Sequence, residues 1–364
     1  MTGKKRSQNA VQRTVHVTIT ERREQKMDVD ESELKTGQAN IKVFGVGGGG
    51  GNAANWLYLK GIEGAEVIIA NTDKQHLDLV EADRKFLLGK DLTRGLGAGG
   101  DPTKGSDAAQ ESISKIKDSL KGSDMVFVTA GMGGGTGTGG APVIAEAAKE
   151  MDAIVIGCVT MPFKIERARV DKAEHGLQML RDHCDTVVVI DNERLVKIAG
   201  DLPVRQAFAV ANELISTMIK GIVETISTPS LVNLDFADVQ AVMRDGHIAS
   251  VGVGSSNTKN RVDEAVEGAL SNPLLEIDYE GATGAIIQIQ GGEDMTLDEI
   301  STVGERVTEA MDHDAEVIWG AQVTEEMTIM TGVNSPYLLG KNQEQESEEA
   351  RQELSDELGI QMVN

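Results

Sequence analysis

The feature that most constrains the fold of this chain is a glycine-rich stretch at residues 131–139, directly after an apolar run at 125–130. Six glycines lie in that stretch, and an Ala-rich segment opened by Pro142 follows it. This order predicts a strand, a glycine loop and a helix start. Because glycine lacks a Cβ, its backbone N–H groups can approach a ligand closely, and the helix start adds unpaired donors. The pattern predicts a phosphate-binding loop; the alternative is a flexible turn of small residues. A Walker A loop is excluded, because no Gly-Lys pair in the chain is followed by Ser or Thr.

Two other glycine-rich loops, at residues 47–52 and 96–102, stand in similar positions. The first loop follows a buried strand, fits the dinucleotide-binding pattern G-x-G-x-x-G and precedes a helix predicted from Ala53. The next strand ends at Asp73, where an acid can bind the hydroxyls of a ribose. The second precedes a helix predicted over 108–120. Strands alternate with helices, which predicts an α/β fold with a doubly wound parallel sheet. The three loops then share the carboxyl edge of the sheet and converge on one crevice.

Charge and cysteine content limit the possible partners. The net charge of −23 repels nucleic acid and anionic membranes, so a bound phosphate chain needs backbone dipoles and Mg²⁺ to offset it. No apolar run reaches the ~18 residues of a membrane span, and the start lacks a signal-peptide pattern. Cys158 and Cys184 lie in or beside apolar runs, which predicts buried free thiols in a reducing cytoplasm.

Two motifs together resemble a known family. The string Gly-Gly-Gly-Thr-Gly-Thr-Gly at 133–139, with Asn-Leu-Asp-Phe-Ala-Asp at 233–238, resembles the archaeal members of the FtsZ family, the cell-division GTPases of the tubulin superfamily. The resemblance covers residues 40–335. It implies a tubulin/FtsZ-like fold that binds GTP or GDP with Mg²⁺. It also implies a cytoplasmic protein of the mid-cell division ring that polymerises head to tail and hydrolyses GTP between subunits.

The resemblance also implies a nucleotide site. On the phosphate side it assigns Gly47, Gly48, Gly49, Gly50, Gly51, Asn52, Asn71, Thr72, Asp73, Ala98, Gly99, Gly100, Gly133, Gly134, Gly135, Thr136, Gly137, Thr138 and Gly139. On the ribose and base side it assigns Pro162, Glu166, Arg169, Asn192, Phe208 and Asn212, with Phe208 stacked on guanine and Asn212 bonded to its edge. The spacing after Glu166 is one residue short, so Arg167 or Arg169 takes the arginine role, with Arg169 preferred. A Cβ at Gly135 is expected to lie where a phosphate oxygen binds.

Asp235 and Asp238 follow a long apolar helix predicted over 204–226, which is expected to be buried between two domains. A helix of about 23 residues spans ~35 Å, so these acids cannot reach the γ-phosphate of their own subunit. They can reach the nucleotide of the next subunit in a filament. The resemblance assigns them to the attacking water. The alternative is a turn and helix cap, for which Asp238 is suited.

The predicted organisation has six parts. A disordered polar arm covers 1–38, a GTP-binding domain 39–202, the central helix 203–227, and a smaller α/β domain 228–340, whose last strand pair is expected to be truncated by a short join at 323–327. An acidic linker covers 341–353. The peptide 354–364 is either a docking segment for a membrane-tethering division protein, as the resemblance implies, or a frayed helical end.

Two rival functions remain open. The first is an NAD-dependent Rossmann oxidoreductase using the loop at 47–52, which leaves the loop at 131–139 unexplained and offers no evident catalytic His or Lys. The second is a tubulin-like scaffold that polymerises but hydrolyses poorly, against which the Asp235 and Asp238 pair argues.

Overall fold

The computed structural model describes residues 39–199, 203–228, 231–232, 234–244, 247–270, 282–309, 311–324 and 327–335. The arm predicted at 1–38, the linker at 341–353 and the peptide at 354–364 lie outside these residues. Within the described part, no helix combines the length and the apolar character that crossing a membrane requires.

Six parallel strands form the first part of the sheet. Their bounds are β1 (Ile41–Val46), β2 (Ala65–Asn71), β3 (Arg84–Leu87), β4 (Met125–Gly131), β5 (Ile154–Met161) and β6 (Thr186–Asp191). The strand order is β3-β2-β1-β4-β5-β6, which reverses direction beside β1. This order confirms the predicted doubly wound α/β fold, and it places the ends of β1 and β4 together at the centre of the carboxyl edge.

Helices cover both faces of these strands. Their bounds are α1 (Gly47–Leu59), α2 (Lys74–Leu79), α3 (Lys90–Thr93), α4 (Pro102–Glu111), α5 (Ile113–Leu120), α6 (Thr136–Lys149), α7 (Ala168–Arg181), α8 (Asn192–Ala199), α9 (Val204–Ser227) and α10 (Phe236–Met243). Neighbouring residues of β1 enter opposite cores: Val43 packs with α1, α9 and α10, whereas Phe44 packs with α4, α5, α6 and α7. The core is largely aliphatic, as the low aromatic content requires.

The smaller C-terminal part continues the same sheet. Its elements are β7 (His247–Ser256), α11 (Arg261–Leu270), β8 (Gly284–Gly291), α12 (Leu297–Thr308), β9 (Glu316–Val323) and β10 (Met327–Ser335). The strand β7 pairs in parallel with β6 through only three residue pairs, 186–188 with 247–249. We call this short junction the seam. A small apolar cavity of about 20 Å³ borders the seam, lined by Val188 of β6, Ile222 of α9 and Ala249 of β7 among others.

The helix α9 runs along the sheet from its carboxyl edge to its amino edge. Phe208 and Asn212, in its first turns, face the carboxyl edge. At its other end Ser227 packs against Gly64, which directly precedes β2; a Cβ on Gly64 would lie only 2.3 Å from Ser227 Cβ. Its residues Leu214, Ile215, Met218 and Ile219 are buried, as predicted for a central helix.

Four local predictions were wrong. The helix α1 begins at Gly47 rather than Ala53, and α6 begins at Thr136, with Pro142 in its interior rather than at its start. The expected helix over 108–120 is two helices that meet at Ser112, whose φ of −97° and ψ of 4° are not helical. At this break the Ser112 hydroxyl donates to Ala108 O and accepts from Gly89 N. The last two strands are full-length and do not form a pair: β10 lies antiparallel between β7 and β8, and β9 pairs with β8.

Candidate functional site

The three glycine-rich stretches meet in one crevice at the carboxyl edge of the sheet. The volume of this phosphate-side crevice is about 390 Å³, within the range of small-molecule sites. Its lining comprises Gly48, Asn71, Thr72, Asp73, His76, Gly97, Ala98, Gly99, Gly100, Gly134, Gly135, Thr136 and Arg169. The crevice therefore joins the starts of α1 and α6 to the loop before α4.

Part of the crevice wall is bare backbone. A Cβ built on Gly48, Gly134, Gly99 or Gly100 would meet no other atom within 4 Å, so these residues face open space. Gly48 lies in the first turn of α1, and Gly134 lies two residues before α6, next to its N-cap Gly135. The first N–H groups of a helix lack intrahelical partners and carry a partial positive charge. Two helix starts that face the same crevice suit a chain of phosphates.

Other glycines of the same stretches serve packing rather than lining. A Cβ on Gly50 would lie 2.0 Å from Thr129 O, and one on Gly139 would lie 1.8 Å from Pro102 O. Close approach of α1 to β4 and of α6 to α4 therefore requires glycine. The residues assigned to the phosphate side that do not line this crevice are Gly47, Gly49, Gly50, Gly51, Asn52, Gly133, Gly137, Thr138 and Gly139. Of these, Gly49 and Asn52 line a second pocket, described below.

The expectation for Gly135 was also wrong. A Cβ on Gly135 would lie 2.7 Å from Ala98 Cβ and 2.9 Å from Asp101 N, so it would point into the loop before α4. A side chain at this position would displace that loop rather than fill the place of a phosphate oxygen.

Two threonines join two walls of the crevice. Thr72 Oγ1, after β2, lies 2.6 Å from Thr136 Oγ1 at the start of α6. Asp73 caps α2, because its carboxylate accepts from the backbone N–H groups of Gln75 and His76. In this structure the Asp73 carboxylate thus stabilises the start of α2. Asn71 Oδ1 accepts from Asp73 N and stabilises the same turn.

The positive charge at the crevice comes from α7. Arg169 lines the crevice and donates to Glu166 Oε2 at 2.7 Å. Glu166 also accepts from Phe163 N, so it orients the arginine and does not itself line either pocket. Lys172, one turn further along α7, donates to Gly100 O at 2.7 Å. Arg167, which directly follows Glu166, has a φ of +43° and turns the backbone before α7.

A second pocket of about 200 Å³ opens on the other side of the α1 start. It is lined by Gly49, Asn52, Thr129, Ala130, Thr160, Asn192, Phe208, Ala211, Asn212 and Ile215. Phe208 stays 42% exposed, and its ring meets Phe163 edge-on with the centroids 5.8 Å apart. Within the described residues, buried Asn192 Oδ1 and Thr129 Oγ1 have no hydrogen-bond partner. This base-side pocket thus combines an aromatic face with uncommitted polar atoms. Pro162 packs against Gly133 at its margin, where a Cβ on Gly133 would lie 3.2 Å from Pro162 Cγ.

Three polar lining residues escaped the sequence analysis: Thr129, Thr160 and His76. Thr129 and Thr160 occupy otherwise apolar strands near their carboxyl ends, and hydroxyls at such positions are a signal that the sequence does contain. His76 lies in α2, and its Nε2 is 3.0 Å from Asn52 Oδ1. Burial lowers the pKa of His76, although nearby Asp73 acts in the opposite direction. The imidazole is therefore neutral near pH 7.

The structure separates Asp235 and Asp238 from the crevice of the same subunit. Asp235, rather than Asp238, is the N-cap of α10 and accepts from Ala237 N, while exposed Asp238 lies in the first turn. The last residue of α10, Met243, accepts from Thr186 Oγ1 at the start of β6. The helix α10 therefore lies towards the amino edge of the sheet, opposite to the crevice.

Comparison with known proteins identifies the fold and both of its parts. Residues 40–200 match the model of the Tubulin/FtsZ family, GTPase domain, and residues 247–334 match the FtsZ family, C-terminal domain. The chain is 53% identical over 316 residues to cell division protein FtsZ 2 of Methanocaldococcus jannaschii, covering 84% of this chain and 83% of that protein. It is 46% identical over 356 residues to cell division protein FtsZ 2 of Halobacterium salinarum, covering 96% of this chain and 90% of that protein.

A solved structure shows the same similarity to FtsZ. The empty FtsZ dimer of M. jannaschii superposes with a TM-score of 0.80 at 45% identity, covering 84% of this chain and 91% of that one. These matches extend over both family domains and do not favour an NAD-dependent oxidoreductase. On its glycine-lined crevice, its sheet order and these similarities, the chain belongs to the FtsZ family of the tubulin superfamily.

Proposed function

We propose that this protein is a self-assembling GTPase of cell division, whose subunits stack head to tail and hydrolyse GTP at each interface. One observation carries the proposal: the phosphate-side crevice and the exposed acids of α10 lie at opposite edges of the sheet. Neither edge alone holds a complete hydrolytic site. Stacking the amino edge of one subunit on the carboxyl edge of the next brings the two halves together.

The crevice binds the phosphate chain of GTP or GDP through backbone donors. The bare N–H groups at Gly48 and Gly134 and the positive ends of α1 and α6 supply attraction without a P-loop lysine. Arg169 adds a fixed cation held by Glu166. This local potential acts against the large negative charge of the chain.

The base-side pocket selects guanine. Phe208 presents an exposed aromatic face, and Asn212 one turn along α9 offers both a donor and an acceptor to the edge of a base. A guanine edge pairs an acceptor with adjacent donors, whereas adenine presents a different order. GTP should therefore bind more tightly than ATP.

The acids act on the neighbouring nucleotide. Asp238 is exposed in the first turn of α10, so its carboxylate is available to a water molecule at the interface. Asp235 holds the backbone of this turn and presents a second carboxylate beside it. Together they orient and polarise the attacking water, as a general base or a positioning group does in phosphoryl transfer.

Mg²⁺ fits this crevice as an ion bound together with the phosphates. Among the described residues there is no group of three acidic, His or Cys side chains that could hold a metal alone. Mg²⁺ commonly binds to substrate phosphates with one or two protein oxygens, and the hydroxyls of Thr72 and Thr136 provide oxygens of this kind. When bound, the ion neutralises charge that develops on the phosphates.

The partners and location that we propose are supported by membership of the family. A similar FtsZ from M. jannaschii has been solved as a dimer, which supports self-association of this chain. We infer that filaments assemble in the cytoplasm at the mid-cell division ring. The terminal peptide 354–364, which carries five apolar residues after an acidic stretch, then binds a membrane-tethering division protein.

Phosphate release measured against protein concentration tests the proposal. With GTP, activity per molecule should rise steeply with concentration, because a single subunit holds half of the hydrolytic site. ATP should release much less phosphate at every concentration. Equal affinity for ATP and GTP in a competition assay would refute the base assignment, and concentration-independent turnover of GTP would refute the shared site.

A further inference from the structure

His76 joins two elements of the nucleotide site. It lies on α2, and its ring reaches across to the first turns of α1, where Nε2 is 3.0 Å from Asn52 Oδ1. The ring occupies a slot beside Gly51: a Cβ on Gly51 would lie 3.0 Å from His76 Cε1 and 3.2 Å from Ile69 Cγ2. A histidine in this slot therefore depends on glycine at position 51.

The surroundings of the ring decide the direction of its hydrogen bond. Nδ1 is buried and has no partner among the described residues. A buried N–H without an acceptor is rarer in proteins than an unpaired acceptor, so Nδ1 carries the lone pair and Nε2 carries the proton. Burial keeps the ring neutral, and Asp73 is the charge that opposes this effect. The first turn of α1 contains no acidic residue, and Arg169 lines another part of the same crevice. Nε2–H accordingly donates to Asn52 Oδ1.

The direction of this bond fixes the orientation of the Asn52 amide. An unconstrained amide can turn either its oxygen or its NH₂ group towards a ligand. With Oδ1 held by His76, the NH₂ group remains free for another acceptor. Asn52 lines the base-side pocket, whereas His76 lines the phosphate-side crevice, so the pair stands between the two.

We propose that His76 is a positioning residue of the guanine nucleotide site, holding the Asn52 amide so that its NH₂ group donates to the bound nucleotide. This inference rests on the proposed function, because it requires that the two pockets hold one nucleotide. The ring itself does not contact the reacting atoms. His76 acts through Asn52. By fixing the Asn52 NH₂ group as a donor, it makes the site bind an anionic, oxygen-rich ligand in preference to water.

A double-mutant cycle on the full chain tests the inference. The probe is a fluorescent GDP analogue displaced by GDP, and the variants are Asn52→Ala, His76→Leu, the double variant, and His76→Gln. Each single apolar change should weaken GDP binding about tenfold, as for one hydrogen bond to a charged ligand. The double variant should bind no more weakly than Asn52→Ala, since His76 has nothing left to orient. His76→Gln keeps an N–H donor and should retain most of the affinity.

The control is Gln75→Ala, the exposed neighbour on α2, which should bind GDP like the unmodified protein. Thermal unfolding without nucleotide checks that each variant folds; if His76→Leu does not, His76→Ala replaces it in the cycle. Additive losses in the double variant, or full affinity of a folded apolar His76 variant, would overturn the positioning role. Those results would leave the proposed function intact, whereas failure of the unmodified protein to bind GDP and GTP would refute that function itself.

Discussion

Replacing Asp238 by alanine tests whether the hydrolytic site is shared between subunits. The 24 residues of α9 span about 36 Å, so the acids that follow this helix are remote from the crevice of their own subunit. GTP binding should therefore be unchanged. Asp238 is exposed, and its loss costs the fold only a favourable interaction with the helix dipole, about 0.3–1 kcal/mol. Hydrolysis should fall by about 10²–10⁴-fold, as for loss of a group that positions or activates water.

A mixing experiment distinguishes action on the neighbour from action within one subunit. Asp238→Ala keeps a working crevice, and Gly134→Val keeps working acids while its new side chain enters the open crevice. In an equimolar mixture of head-to-tail filaments, about one quarter of the interfaces combine a working crevice with working acids. Phosphate release should therefore recover to about one quarter of the unmodified rate, although each variant alone keeps at most about one hundredth of that rate.

The matched control is Gln240→Ala on the same helix, which should hydrolyse GTP normally and give no change on mixing. Sedimentation confirms that Asp238→Ala still forms filaments, so that a loss of turnover is not a loss of assembly. Specific activity that stays flat on dilution, together with no recovery on mixing, would refute the shared site and assign Asp238 a role within its own subunit or none.

Three further predictions follow from the crevice, the thiols and the tail. Gly134→Val should abolish GTP binding without lowering thermal stability, because its side chain enters the open crevice. Gly139→Ala should destabilise the fold, because its Cβ would lie 1.8 Å from Pro102 O. A destabilised Gly134→Val variant that still binds GTP would contradict the assignment of these two glycines. Burial raises the pKa of both Cys158 and Cys184, so the native protein should react slowly with a thiol reagent at pH 8. Above the ordinary thiol pKa of about 8.5 only the unfolded chain loses these protons, so the free energy of unfolding should decline as the pH rises. Rapid labelling of two thiols per native chain would show that reasoning to be wrong. Deleting residues 352–364 should leave GTP hydrolysis intact and abolish recruitment to membranes by a tethering partner, and loss of hydrolysis would indicate a structural role for the tail instead.

The sheet was predictable because parallel strands are read directly from short apolar runs. The prediction placed β4 to within a residue at each end, and it placed the long helix α9 equally well. The starts of α1 and α6 were not predictable in the same way. Glycine has a poor intrinsic helix propensity, so a glycine run indicates a loop. Here close packing on β4 and α4 outweighs that preference, and such packing is a property of the assembled fold.

The same distinction applies to the site. Convergence of three glycine-rich stretches was predictable, because the carboxyl ends of parallel strands share one edge. Which glycines face the ligand was not, since Gly134 opens onto the crevice while adjacent Gly135 packs against Ala98. His76 could not be recognised from its sequence neighbours, because its contact with Asn52 joins residues of two different helices.

The seam between β6 and β7 has a mechanical consequence. Three residue pairs join the two parts of a ten-stranded sheet, whereas β4 and β5 share seven. Torsion between the two parts is therefore easiest at residues 186–188, beside the small apolar cavity. A twist that closes this cavity lowers the volume of the protein, and hydrostatic pressure favours the state of smaller volume. Raised pressure should thus turn the two parts of the sheet about the seam, with the largest changes at Val188, Ile222 and Ala249.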